Sequence, residues 1–342
     1  MYTKQNHDFT VVATDLGYPE GPVYLPDGRL AVVEVMGGNV VIFREAGGGV
    51  WTRDGTIATG GSPNGLALAP DGSLIVCNSG GFQFSHLPLS QGGMKWTLDI
   101  PTVAPQPFAG GMIQKVDLAS NTISMLCASD SVAGPGLRGP DDLVFDNAGG
   151  LWFTDFGKQS SGLRDVTGVY YLAAGSTTPV LVIPNRISPN GIAISPAGDR
   201  LYVAETIARW VMSWALDPAK PGTIMPTAAP TLDHSIPLAS LPEFGEPDSM
   251  ALDVEGNLYV ATTVTKGLNP MATGGITIIS PQGLQLDYIP INTPIPDPLP
   301  SNVCFGGPDM KTAFITLGGT GRVVSCRMPV AGLKPQYFGG RQ

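Results

Sequence analysis

Apolar residues recur in short alternating runs along this chain, and one arrangement of them is repeated. Residues 247–261 read Pro-Asp-Ser-Met-Ala-Leu-Asp-Val-Glu-Gly-Asn-Leu-Tyr-Val-Ala. An acid follows a proline, and an alternating apolar run follows the acid. A Gly-containing turn interrupts the run, and a second apolar run closes the unit. Alternation with period two predicts half-buried strands joined by tight turns. The same arrangement starts at Pro189, with one residue inserted in the turn, and again at Pro63, at Pro140 and, with Glu in the acid position, at Pro19. A degenerate copy covers residues 302–316. Repetition on this scale fixes the architecture before any single residue does.

Each unit offers about four short strands, and six such units describe a six-bladed β-propeller with four-stranded blades. In the first unit the further strands fall at 30–35, 40–43 and 50–57, and in the third at 151–154, 169–172 and 180–183. The sixth unit supplies only three strands. Residues 8–16, β-branched and alternating, form a strand with no unit of their own. Added to the last blade, that strand closes the ring and removes an exposed edge. Residues 79–111 break the pattern with a long insertion that carries Phe82, Phe84, His86, Trp96 and Phe108. Its aromatic content predicts a packed cover over the channel rather than a disordered loop. The expectation is therefore one all-β domain over residues 1–342. A two-domain β-sandwich protein does not explain the recurring unit.

Composition agrees with many strands and turns. Gly (45) and Pro (32) are abundant, and only 14% of the chain is charged. The net charge of −9 argues against nucleic acid and anionic membranes as partners, because both are recognised by basic patches. The first residues carry no apolar segment of the signal-peptide kind, and no run is long enough for a transmembrane helix. A cytoplasmic location follows as the expectation. The cysteines, Cys77, Cys127, Cys304 and Cys326, are far apart, and buried free thiols are expected.

The repeat also carries chemistry. In a propeller, equivalent positions on the innermost strands face one another across the channel. Glu20, Asn64, Asp141, Asn190 and Asp248 occupy one such position. Hard oxygen donors gathered there suit a divalent cation, calcium first. An Asx residue beside Pro or Gly is also a common turn former, but five copies at one repeat position favour a shared site. The acids of Pro26-Asp27-Gly28 and Pro70-Asp71-Gly72 lie at the hairpins and read as turn residues. With only three histidines, at unrelated positions, a His-rich zinc site is excluded. Neither a Gly-x-Ser-x-Gly elbow nor a phosphate-cradling Gly-x-x-x-x-Gly-Lys-Ser/Thr stretch occurs.

Glu20-Gly21-Pro22-Val23-Tyr24, Ser188-Pro189-Asn190-Gly191, Pro247-Asp248-Ser249-Met250-Ala251-Leu252-Asp253 and Cys304-Phe305-Gly306-Gly307-Pro308-Asp309 resemble the SMP-30/gluconolactonase/LRE-like family. The resemblance spans nearly the whole chain. It implies a six-bladed propeller with one divalent metal, usually calcium, in the channel, and lactonase or phosphotriester-cleaving activity. Matched by motif, Glu20, Asn190 and Asp248 become metal ligands. Many members have an Asn in an Arg-x-Asn-Asp or Pro-Asn-Asp motif. Here Pro140-Asp141-Asp142 puts Asp141 in its place. Three carboxylates then face one cation, so the ion is held more tightly or one carboxyl is protonated. Asn64, Asp142 and Arg138 fall near the family's substrate positions, although Arg138 is one residue too far from Asp141 to match the motif.

The resulting expectation is a metal-dependent hydrolase of a lactone or related cyclic ester. The metal, Ca²⁺ or else Zn²⁺, Mn²⁺ or Mg²⁺, polarises the carbonyl, and Asp248 activates the attacking water. Phe82 and Phe84 shape specificity from the insertion, and Phe156 adds an apolar wall or belongs to the core. The alternatives are a phosphotriesterase, a metal-dependent isomerase or lyase on the same centre, and a non-catalytic binding propeller.

Overall fold

A computed structural model of the protein describes residues 7–132, 136–160, 162–227, 233–241, 245–264 and 269–338. Six four-stranded antiparallel sheets radiate from one axis, each running from an inner strand outwards in chain order. Blades 1 to 5 span residues 19–58, 63–127, 140–186, 189–240 and 245–290. The last blade has three strands from residues 300–327, and Thr10–Ala13 pairs antiparallel with Arg322–Arg327 as its outermost strand. The ring is thus closed by the N-terminal strand, as the alternating pattern predicts. That strand is shorter than residues 8–16 because Asp15 takes a left-handed backbone (φ 59°) and turns the chain.

Alternation places one face of each sheet against the neighbouring blade. Apolar clusters accordingly fill the seams between blades. Tyr259, Ile276, Ile315 and Val324 pack blade 5 on blade 6, and Val33, Val40, Leu66 and Val76 pack blade 1 on blade 2. The remaining seams are filled in the same way. The four cysteines are free thiols, with Cys77, Cys127 and Cys326 buried in these seams. No helix among the described residues is long and apolar enough to cross a membrane.

One irregularity is common to all six inner strands. Just after its proline, each carries one residue more than its partner strand. In blade 2, for example, Pro63 pairs with Asn78 while Leu66 pairs with Val76. The same offset follows Pro19, Pro140, Pro189, Pro247 and Pro300. Such a bulge re-aims a side chain without dissolving the ladder. In blades 2 to 6 it falls directly after the proline, and in blade 1 one residue later, because Glu20 still pairs with Val33.

Close approach at the axis explains the glycine that follows several of these residues. A Cβ on Gly65 would stand 2.5 Å from the Asp141 carbonyl oxygen, and one on Gly191 would stand 2.6 Å from that of Asp248. Both contacts are with backbone of the next blade, which cannot swing aside. Gly65→Ala is therefore expected to destabilise the fold by about 1–3 kcal/mol. A lowered urea midpoint at unchanged slope would show it; an unaltered midpoint would mean that the inner strands can spread.

The structure adds two features to the sequence reading. Blade 4 takes its fourth strand, Ile236–Ser240, from the Pro-rich tail of its repeat. The insertion contains a regular hairpin, Phe84–Gln91 paired with Met94–Pro101. It lies outside the repeat: Met94, Trp96, Leu98 and Ile100 alternate along its second strand, but its first strand is mostly exposed and carries Pro88, so the pair does not stand out as a blade element.

Candidate functional site

The residues after the prolines come together at the axis. Adjacent inner strands contact one another in the order of the blades. Asn64 Nδ2 donates to Asp141 Oδ2 at 3.0 Å, and the Asn190 side chain hydrogen-bonds to Asp248. Ser249 Oγ donates to Asn190 Oδ1 at 3.4 Å. Glu20 accepts from its own neighbour, Gly21 N–H, at 2.9 Å, and is also hydrogen-bonded to Asn302 and Ser301. Glu20 and Asp141 are buried, and Asp248 keeps partial exposure.

Carboxyls buried together at one axis resist ionisation together. Burial, helped by Asp142, pushes Glu20 up to about 8, against hydrogen bonds that favour its anion. Burial raises Asp141 well above the carboxylate range, and the charges of Glu20 and Asp142 add to it. Burial, then Glu20 and Asp141, does the same to Asp248. These groups therefore feel one another across three blades.

The hairpin acids differ. Asp27 Oδ1 accepts Arg29 N–H and Asp71 Oδ1 accepts Ser73 N–H, each at 3.1 Å. Asp146 and Asp253 cap their own turns in the same manner. Two acids that look alike within one repeat thus have different surroundings, one at the axis and one at the turn.

The other candidate residues fall in two places. Asp142 lines a cavity of about 250 Å³ at the far end of the channel, together with Gly21, Asn302 and the chain at 333–336. Its carboxyl accepts Leu143 N–H at 2.9 Å and a bond from Ser249, and burial lifts it to about 6. Arg138, Phe82, Phe84 and Phe156 gather instead around blade 3 and the insertion. Arg138 Nε pairs with Asp165 at 2.9 Å, and its guanidinium lies 4.8 Å from the Phe108 ring centre. Phe156 is half-buried under the Arg164 guanidinium at 4.3 Å.

The insertion reaches several blades. Phe84 packs on Tyr18 at 5.6 Å, and Leu98 sits against Gly319 and Leu299 of the last blade. Ala104 N–H bonds to Gln159 O at 3.1 Å beside blade 3.

Three residues at this end were not legible as site residues. Ser301 holds the sixth axial position, preceded by Pro300, and its hydroxyl donates to Pro19 O at 2.9 Å. The proline was the available signal, but a Ser in place of an acid concealed it. Tyr18 is buried beside the ring, and its phenol is raised by burial and then by Asp248 and Glu20. Lys158 is 2% exposed, with Nζ 3.1 Å from the centre of the Phe82 ring. Nothing local marks it, because a lysine normally seeks water.

The donor set fits a hard divalent cation in kind: carboxylates from Glu20, Asp141 and Asp248, and an amide from Asn190. Their suppressed ionisation is what an acid ring shows when only distant positive charge offsets it. Among the described residues, no three His, Cys, Asp or Glu side chains are gathered tightly enough to hold an ion by themselves. A cation here would draw on the amide oxygen as well.

Comparison with known proteins agrees with this architecture. The chain is 28% identical over 315 residues to a gluconolactonase of Zymomonas mobilis, covering 90% of this chain and 78% of that protein. It is 30% identical over 242 residues to the lactonase drp35 of Staphylococcus aureus, covering 71% of this chain and 62% of that protein. Its fold matches a calcium-binding protein, regucalcin, from Agrobacterium tumefaciens with a TM-score of 0.68 at 17% identity, over 96% of both chains. It also matches a gluconolactonase from Xanthomonas campestris with a TM-score of 0.66 at 21% identity, over 95% of this chain and 90% of the other. The family model described as the SMP-30/Gluconolactonase/LRE-like region matches residues 18–319, and the chain belongs to that family.

Proposed function

We propose that the protein hydrolyses a lactone or related cyclic ester at the acid and amide ring around Glu20, Asp141, Asn190 and Asp248. The observation that carries this reading is the convergence at the axis of Glu20, Asp141 and Asp248, carboxyls from three different blades, with the Asn64 amide on Asp141 and the Asn190 side chain on Asp248. A binding scaffold gains nothing from that arrangement, whereas a hydrolase uses both the base and the charge.

Glu20, Asp141, Asn190 and Asp248 would hold one divalent cation, calcium first. When bound, it supplies Lewis-acid polarisation of the ester carbonyl. Asp248 is the base in this reading. It is the least buried of the three acids, and a carboxyl whose ionisation has moved towards neutrality is matched to accepting a proton from water. Asn190 fixes the Asp248 carboxyl through their hydrogen bond. Asn64 fixes Asp141 and stands ready at the ring's edge for a substrate hydroxyl. The insertion at 79–111 covers the channel and keeps bulk water from the ring, with Phe82, Phe84, Phe156 and Arg138 shaping the entrance.

A pH-stat screen of lactones, acyclic esters and phosphotriesters, with Ca²⁺, Mn²⁺ or Zn²⁺ added, tests this reading. Lactones are expected to release acid fastest, and excess chelator is expected to stop the release. Full activity in chelator would remove the cation from the mechanism. Exclusive turnover of phosphotriesters would replace the reaction.

A further inference from the structure

Lys158 is held where a lysine is rarely found. Strand Leu151–Asp155 ends at Asp155, whose carboxyl accepts the N–H groups of Arg138, Gly139 and Gly157 at 2.7–2.9 Å. Gly157 then takes a left-handed backbone (φ 73°), with Asp165 and Thr167 packed at the position of its absent Cβ. Asp165 accepts Lys158 N–H at 3.0 Å and donates its own N–H to Lys158 O at 2.9 Å. The backbone is therefore clamped on both sides, and Lys158 is 2% exposed.

The ammonium group has three donors. Among the described residues Nζ makes no hydrogen bond. The nearby acids are already engaged. Asp155 holds three backbone N–H groups, Asp165 holds Arg138 Nε and Lys158 N–H, and Asp141 Oδ2 takes the Asn64 amide. Two adjacent cations differ from Lys158 in this respect. Arg138 pairs with Asp165, and Arg164 donates to Phe156 O and Ile187 O. What covers the Lys158 ammonium is aromatic: the face of Phe82 at 3.1 Å and the Phe108 ring at 5.8 Å.

Both aromatic residues belong to the insertion at 79–111. A π face stabilises a cation but takes none of its hydrogen bonds. A buried donor without an acceptor is costly, so an oxygen ligand at this point would be favoured strongly. Its sign is also set. Asp141 is the largest opposite charge acting on Lys158, so the lysine stands on the blade-3 side of the acid ring. The ring by itself repels an anion, and Lys158 supplies one place at the entrance that attracts one.

We propose that Lys158 is a specificity-determining residue that receives an oxyanion group, a carboxylate, carried by the substrate beside its hydrolysable ester. The inference rests on the reading of the ring as the reaction site. When the insertion lifts, the ammonium leaves the Phe82 face and donates to the substrate carboxylate. The ester carbonyl then lies towards Asp141 and Asp248. Neutral lactones lack this anchor.

The test compares γ-butyrolactone with 5-oxotetrahydrofuran-2-carboxylate, using the full chain with calcium at pH 6, where Lys158, lowered by burial to about 7, carries its charge. Wild type is expected to favour the carboxylated lactone in kcat/KM. Lys158→Met, which keeps the stem and removes the charge, is expected to cut that preference by about tenfold or more. Lys158→Arg restores part of it, mainly through KM. A structural role would lower both substrates equally and leave the ratio unchanged, which overturns the proposal.

Calorimetric titration with the ring-opened product, 2-hydroxyglutarate, separates this inference from the reaction itself. Binding is expected to weaken in Lys158→Met by about tenfold, and binding of 4-hydroxybutyrate to change less. If neither lactone is hydrolysed but 2-hydroxyglutarate binding depends on Lys158, the reaction reading falls and the anion site stands. If both lactones are hydrolysed with no preference in wild type, the anion site falls and the reaction stands.

Discussion

Replacing Asp248 by Asn is expected to lower lactone turnover by about 10³-fold while leaving the propeller folded. The amide keeps the size and the hydrogen bond to Asn190 but accepts no proton from water. It also withdraws one of the charges that crowd the ring with Glu20 and Asp141. The variant without added metal should therefore be at least as stable as wild type. The second acid of the same repeat unit predicts the reverse. Asp253 is fully buried and accepts Glu255 N–H, Asn257 N–H and Asn257 Nδ2 at 2.8–2.9 Å. Asp253→Ala strands those donors and is expected to cost about 1–3 kcal/mol of stability, with activity per folded molecule retained. Rates and urea midpoints for the two variants, measured side by side, decide the matter. Loss of stability in Asp248→Asn, with proportionate loss of rate, would make Asp248 a structural residue.

The second large effect concerns stability against pH. Glu20 titrates near 4.5 when unfolded and near 8 in the fold, and Asp141 and Asp248 are raised as well. Asp142 and Asp155 rise to about 6. In each case the folded state binds the proton more tightly. The associated stability is present below the unfolded value and is lost as pH rises through the folded one. Each such group contributes a slope of about 1.4 kcal/mol per pH unit across its window. Lys158, lowered to about 7 by burial, works in the opposite sense above that pH. In chelator the melting temperature is thus expected to fall from pH 5 to pH 7 and, with Lys158 opposing above that, to fall less steeply towards pH 8. Calcium should offset part of the fall at pH 7, by about 2.7 kcal/mol at a hundredfold excess over its dissociation constant. A melting temperature that climbs from pH 5 to 7 in chelator, or that ignores calcium, would contradict the acid ring as a cation site.

Much of this was readable from the chain because a propeller writes its architecture repeatedly. The Pro-acid-apolar unit returns often enough that turns, strands and ring positions align without any single strong motif. Closure by the N-terminal strand followed from counting strands and from the instability of an open edge. Asn64, Asp141, Asn190 and Asp248 were visible for the same reason, since equivalence in the repeat means proximity at the axis. The features that escaped depend on contacts between distant segments. Ser301 lacks the acid that marks the other copies. The hairpin 84–101 belongs to no repeat unit, and although Met94, Trp96, Leu98 and Ile100 alternate, the strand they pair with is mostly exposed. Lys158 is buried by Phe82 and Phe108, which precede it by a whole blade, and no local pattern announces that cover.

The one-residue bulges at the axis bear on how such a protein can change. Because the ladder is interrupted at or beside each ring residue, its side chain is largely uncoupled from the hydrogen bonds that hold each blade. The ring Glu20, Asn64, Asp141, Asn190, Asp248, Ser301 is then a six-letter word written on a scaffold that does not read it. Rewriting one letter alters charge and donor type at the centre while the seams between blades stay as they are. The glycines behind the ring set the limit, since Gly65 and Gly191 lie against the next strand's backbone. New activities in this fold are therefore most accessible by exchanging the letters and keeping the spaces between them.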